Sequence, residues 1–186
     1  MRRKDLEPYR ERVIGAAEGR VLEIGAGSGL NFAFYPPAVS EILALEPDPK
    51  LICMARTKET SRQATFMEAS AEEIPLEDKS FDTVVTTWTL CTIPNGMQAL
   101  REMRRVLRPG GTLLFIEHGQ APEQRVRKWQ DRVDPIWSRI SGGCHLNRPI
   151  GRMIEESGFR IAKLENFYLP GPRMMGFLYE GSARPN

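Results

Sequence analysis

Glycine stands at positions 25, 27 and 29, directly after the mostly apolar run Val21-Leu22-Glu23-Ile24. A strand that ends in glycines spaced this way has few uses. Without Cβ atoms, the turn can lie against a ligand with bare backbone. Such a turn belongs at the carboxyl end of a strand in an open parallel sheet, where ligands bind at the point of strand-order reversal. The surrounding chain agrees. Arg20 to Ile24, Glu41 to Glu46, Thr65 to Glu68, Phe81 to Thr86 and Thr112 to Glu117 read as strands. Leu6 to Ala17 and Asn95 to Leu107 carry helical apolar spacing. Lys50 to about Ser61 reads as a helix behind Asp48 as cap and Pro49 in the first turn. Leu30 to Tyr35 starts as a helix that Pro36-Pro37 stops, and Pro109-Gly110-Gly111 is a sharp stop. Strands and helices alternate without hairpin signals, which predicts crossover connections, a mostly parallel sheet and helices on both faces. After His118 the pattern changes. Gln124 to Ile140 and Ile150 to Ser157 read as helices, and Phe159 to Phe167 and Met174 to Gly181 as strands. The short loop Pro170-Gly171-Pro172 makes those last two strands antiparallel.

Length and charge limit the function classes. The 186 residues suit a single domain spanning 1–186. With 26 basic and 24 acidic residues the net charge is +2, so no nucleic-acid partner is expected. The arginines at 101, 104, 105 and 108 read as the solvated face of their helix. The opening Met1-Arg2-Arg3-Lys4 is too short for a targeting signal, and no apolar run approaches a membrane span. A cytoplasmic, reduced protein is the expectation. Cys53, Cys91 and Cys144 lie far apart in sequence with no CxxC, which argues against a disulfide framework and against a zinc site.

The glycine spacing then selects a ligand class. The dinucleotide fingerprint is G-x-G-x-x-G. Gly25 and Gly27 fill its first two places, but Leu30 takes the third, and the chain reads G-x-G-x-G with Gly29 last. Glu46 ends the second strand about 20 residues after the turn, where a carboxylate accepts hydrogen bonds from both ribose hydroxyls. Turn and acid together predict a nucleoside with a free ribose, and Leu30 argues against a nicotinamide oxidoreductase.

These segments resemble the class I methyltransferases that use S-adenosylmethionine. Val21 to Gly29 matches the family's first motif and Glu46 its ribose acid. Ala69-Ser70-Ala71-Glu72-Glu73-Ile74-Pro75-Leu76 matches the adenine segment, with Ser70 where Asp is frequent. Phe81 to Val85 and Leu107-Arg108-Pro109-Gly110-Gly111-Thr112-Leu113 match the motifs of the fourth and fifth strands. The match covers roughly residues 15 to 118, the expected cofactor core. It implies a doubly wound, Rossmann-like α/β fold whose seven-stranded sheet is mostly parallel, with the last strand antiparallel. It also implies S-adenosylmethionine held by Glu23, Gly25, Ala26, Gly27, Gly29, Asn31, Glu46, Pro47, Ser70, Ala71, Glu72, Thr87 and Trp88. Asn31 to Pro37, Leu90 to Ile93, Glu117-His118 and Gly143 to Arg148 further resemble the methyltransferase-like seven branch, which includes thiol S-methyltransferases. Animal members carry a membrane anchor ahead of the catalytic domain; none is expected here.

The resemblance implies a small hydrophobic acceptor, with a thiol favoured. A small amine or phospholipid headgroup is the first alternative, and a non-catalytic S-adenosylmethionine-binding protein the second. Because the sulfonium methyl is already activated, alignment of the acceptor and exclusion of water carry most of the catalysis. The acceptor pocket is expected over the strand ends, from Trp88, Cys91, His118 and the Trp129–Arg148 segment. His118 is the candidate base and His145 a weaker one. Trp129, Val133, Ile136, Trp137 and Ile140 fall on one helical face, which reads as a core stripe or as an apolar lid.

Overall fold

The computed structural model describes residues 4–58 and 64–186. The opening Met1-Arg2-Arg3 and the expected end of the helix near Ser61 lie outside the described residues. The elements run α1 (Glu7–Ile14), β1 (Gly19–Ile24), β2 (Val39–Leu45), α2 (Pro49–Arg56), β3 (Ala64–Met67), β4 (Phe81–Thr87), α3 (Gly96–Val106), β5 (Leu107–His118), α4 (Gln124–Ile140), α5 (Ile150–Glu156), β6 (Phe159–Tyr168) and β7 (Phe177–Pro185). They form one seven-stranded sheet of order β3-β2-β1-β4-β5-β7-β6. β1 to β5 pair in parallel, and β7 is antiparallel to both β5 and β6. The order reverses between β1 and β4, so the crevice at their carboxyl ends is the switch point.

Alternation along the strands divides the core. Leu22, Leu43, Val84, Leu113 and Phe115 face α3 and α5, where Leu100, Met103, Ile150 and Ile154 complete a layer. Val21, Ile42, Ala44, Val85 and Leu114 face the opposite way, onto Val13, Ile14 and Ala17 of the α1 region. Asp48 and Asn95 cap α2 and α3 by accepting from the backbone N–H groups of Lys50 and Gln98.

Three expectations are corrected. Leu30–Tyr35 yields only a 3-10 turn over Phe32–Phe34 before the prolines end it. The helix ends at Val106, ahead of Pro109-Gly110-Gly111, but the fifth strand begins at Leu107 and not at Thr112, so it runs through those residues; a shift in the β4 pairing between Phe81 and Thr83 takes up the irregularity. The apolar stripe of α4 faces outward: Trp129, Ile136 and Ile140 are 52, 65 and 75 % exposed. The physical reason is polar anchoring. Gln130 accepts from Ala121 N and donates to Gly119 O and Met174 O. Asp134 accepts from Leu146 N and pairs with His145 Nδ1 at 2.7 Å. These two buried side chains turn their own face inward, one residue around from the stripe, and bring Val133 and Trp137 part of the way in with them.

Candidate active site

The crevice at the switch point holds a cavity of about 400 Å³ between the glycine turn, Thr87 to Thr89, and Arg10 of α1. That is within the range of ligand sites. Gly25 lies at φ +65°, and a Cβ there would fall 2.2 Å from Thr89 Cγ2, so turn and β4 end meet too closely for any side chain. Gly29, at φ +74°, is closed differently: a Cβ would sit 2.8 Å from the Phe32 ring and 3.2 Å from Ala55 Cα of α2. The third glycine thus permits α2 to approach, a packing task that Leu30 does not perform.

Glu46 is buried and ties this turn to the end of β2. Its carboxylate accepts from Gly27 N at 2.8 Å and from Asp48 N at 3.1 Å. A carboxylate has roughly four lone-pair sites, which leaves capacity for two hydroxyls. Glu23 lies behind the turn and does not line the cavity. Its carboxylate accepts from Asn31 Nδ2 and Tyr35 Oη, and burial pushes its pKa up to about 7 despite those bonds and nearby Arg10. Asn31, which also donates to Thr87 Oγ1 and accepts from Arg10, does reach the cavity. Arg10 stacks over the Trp88 ring at 4.7 Å. Trp88 itself sits at φ 51°, a strained conformation for a bulky residue, and its buried Nε1 has no partner among the described residues.

Gly25, Ala26, Gly27, Asn31, Thr87, Trp88 and His118 line one cavity. Gly29 and Glu46 act through the turn's conformation. Pro47 and the Ser70–Glu72 segment are not among the lining residues. Ala71 packs in the core, and Glu72 accepts from Asn95 N at the start of α3. Sequence reasoning missed Arg10, because a helix before the first motif carries no signal of facing the turn. Ser141, within the Trp129–Arg148 segment expected at the acceptor pocket, lines this cavity from the loop after α4.

At the ends of β4 and β5, Glu117 organises the floor. It is buried, accepts from Thr86 Oγ1, Thr89 N and Cys91 N, and burial raises its pKa against those bonds. The Cys144–Arg148 segment is bolted onto the same loop: His145 N donates to Cys91 O, and Arg148 donates to Leu90 O and Ile93 O. This arrangement corrects the reading that the cysteines stand apart. Cys91 and Cys144 are buried with their sulfurs 3.6 Å apart, and only Cys53 is exposed. Cys91 is pushed well above the ordinary thiol range by Cys144 and by burial. The neighbouring Cys91 proton lowers Cys144 to about 5, with His118 and Trp137 also favouring its thiolate. His145 is committed to Asp134 and does not line this cavity.

A second cavity of about 490 Å³ meets the first at His118, Ser141 and Cys144. Its walls are mostly apolar, from Leu6, Tyr9, Trp137, Leu146, Leu169 and Met175. Trp137 and the C-terminal end of α4 reach it as expected; Trp129, Ile136 and Ile140 do not. The cavity at the glycine turn thus opens on a mostly apolar one, with a histidine and a cysteine on the wall they share.

Known proteins carry the same pattern. The sequence family described as a methyltransferase domain matches residues 22–115. Thiol S-methyltransferase TMT1B of Rattus norvegicus is 36% identical over 171 residues, covering 86% of this chain and 70% of that protein. Thiol S-methyltransferase TMT1A of Homo sapiens is 35% identical over 156 residues, covering 81% and 64%. The S-adenosylmethionine-dependent methyltransferase from Mesorhizobium loti superposes with a TM-score of 0.72 at 20% identity, covering 96% and 97%, a likeness of fold. No helix among the described residues is long and apolar enough to cross a membrane. Glycine turn, the acid at the end of β2, sheet order and sequence relatives agree, and the chain belongs to the S-adenosylmethionine-dependent methyltransferases.

Proposed function

We propose that the chain transfers a methyl group to the sulfur of a small, apolar thiol. The observation that carries this reading is the apolar cavity meeting the glycine-turn cavity at His118, Ser141 and Cys144. The two relatives named as thiol S-methyltransferases support the choice of sulfur.

S-adenosylmethionine supplies a sulfonium-activated methyl group. The residues present fit it: a turn that admits no Cβ at Gly25, a ribose acid with spare lone pairs, and an unpartnered indole N–H at Trp88. In this reading Gly25 to Gly27 hold the nucleoside against bare backbone, and Glu46 takes the ribose hydroxyls. Asn31, Thr87, Trp88 and Arg10 take the polar end. Glu23 orients Asn31 from behind. Leu6, Tyr9, Trp137 and Leu169 bind the acceptor's apolar body and exclude water. His118 meets its reacting sulfur. Such positioning is worth roughly 7–11 kcal/mol when two reactants are aligned.

The test is production of S-adenosylhomocysteine from S-adenosylmethionine with a matched panel of apolar thiols, amines and phenols. Turnover with thiols is the expected result. Turnover confined to amines or phenols would reject sulfur as the acceptor.

A further inference from the structure

Two sulfurs and one imidazole from three separate stretches converge where the two cavities meet. Cys91 follows β4, His118 ends β5 and Cys144 follows α4. Their ligand atoms lie within 4.8 Å of one another, and all three residues are buried. The sulfurs are 3.6 Å apart. Tetrahedral zinc with Zn–S bonds of about 2.3 Å separates two sulfurs by about 3.8 Å, and an imidazole nitrogen at about 2.1 Å sits about 3.6 Å from each. The sulfurs already stand at that span, and the imidazole needs to close by about 1 Å. His118 Nδ1 is buried with no hydrogen-bond partner among the described residues.

The backbone holding this cluster is braced without help from a ligand. Glu117 accepts from Cys91 N, His145 donates to Cys91 O, and Arg148 clamps Leu90 O and Ile93 O. Three protein ligands with one open position is the pattern of reactive zinc sites, whereas structural sites close with four. We propose that Cys91, Cys144 and His118 form a three-ligand site for zinc, or an equally thiophilic divalent cation, whose fourth position opens where the two cavities join. Two thiolates, a neutral imidazole and a dication sum to zero charge, which suits a buried site. Resting on the thiol reading above, the fourth ligand is the acceptor's sulfur. A metal–sulfur bond forms as the S–H bond breaks, the proton leaves to solvent through the cavity, and no oxidation state changes. His118 is then a metal ligand and not the proton acceptor.

The experiment dialyses the full chain, kept reduced, against micromolar zinc and counts metal per chain. Cobalt is substituted to read sulfur-to-metal charge transfer. One ion per chain with that absorption is expected. Cys91→Ser, Cys144→Ser and His118→Ala should each bind at least tenfold more weakly, while Cys53→Ser binds as wild type. A cooperative melt checks the fold of each variant. Independently of any variant, zinc should protect two wild-type thiols from alkylation, assigned by mass to Cys91 and Cys144. Absence of bound metal, equal binding by the variants, or no protection overturns the site. If thiols are methylated and no metal binds, this site falls and the thiol reading stands. If metal binds and only amines are methylated, the thiol reading falls and takes the fourth-ligand role with it.

Discussion

Glu46 and Glu23 are two buried carboxylates at the ends of neighbouring strands, and their surroundings set them different tasks. Glu46 uses both oxygens on backbone N–H groups at Gly27 and Asp48. Replacement by alanine should therefore act twice. Cofactor affinity should drop at least tenfold in calorimetry, since hydrogen bonds to a charged acceptor are worth roughly 1.5–3 kcal/mol each. The ligand-free protein should also lose about 1–3 kcal/mol in denaturant melts, from the two donors left behind. Unchanged affinity would remove Glu46 from the ribose site. Glu23 is fully enclosed, and burial lifts its pKa to about 7. An acid whose folded pKa lies above its unfolded value binds protons more tightly when folded. Its contribution is fully present below about pH 4.5 and declines as the pH rises toward 7, by up to about 3 kcal/mol. Glu23→Gln should flatten this decline. Melting temperatures taken from pH 5 to 8 should show wild type losing stability relative to the variant as pH rises; parallel curves would contradict the buried-acid account.

At the scale of elements, α4 and the loop after it decide what the acceptor meets. α4 is anchored by Gln130 and Asp134, and the Cys144–Arg148 segment is clamped by Arg148 to three carbonyls, at Leu90, Ile93 and Pro94. Burial lowers the Arg148 guanidinium pKa, so the clamp is a desolvated cation whose stability rests on those acceptors. A lysine keeps the charge but not the planar fork. Arg148→Lys should cost about 1–3 kcal/mol of stability, and should raise KM for the acceptor more than it weakens S-adenosylhomocysteine binding. A variant with both unchanged would show that the segment is held by α4 alone.

At the scale of the whole molecule, the glycine-turn cavity is built from α1, the ends of β1, β4 and β5, α2 and the loop after α4. A ligand there bridges elements from both ends of the chain, so binding should stabilise the domain as a unit. At one hundred times its dissociation constant, S-adenosylhomocysteine should add about 2.7 kcal/mol, which for a chain of this size is about 5–11 °C in Tm. NAD should leave Tm unchanged, because the turn is G-x-G-x-G with Leu30 in the dinucleotide's third place. Stabilisation by NAD alone would reverse the cofactor assignment.

The sequence by itself determined the sheet's parallel half, the antiparallel last pair, the turn and its acid. Each of those is written in local signals: apolar runs of strand length, glycines where backbone must be bare, a carboxylate at a strand end. α4 was legible as a helix to the residue, Gln124 to Ile140, but its orientation was not. Apolar periodicity identified the stripe of Trp129, Ile136 and Ile140, and polar anchors at Gln130 and Asp134 turned that stripe to solvent. Hydrogen bonds to a distant loop leave no periodic trace. The same limit hid Arg10 over Trp88 and the meeting of Cys91 with Cys144, more than fifty residues on. Spacing rules for cysteine detect ligands carried on one loop. Here one sulfur follows β4 and the other follows α4, and only the crossover that lays Cys144–Arg148 against Leu90–Pro94 brings them within reach of His118.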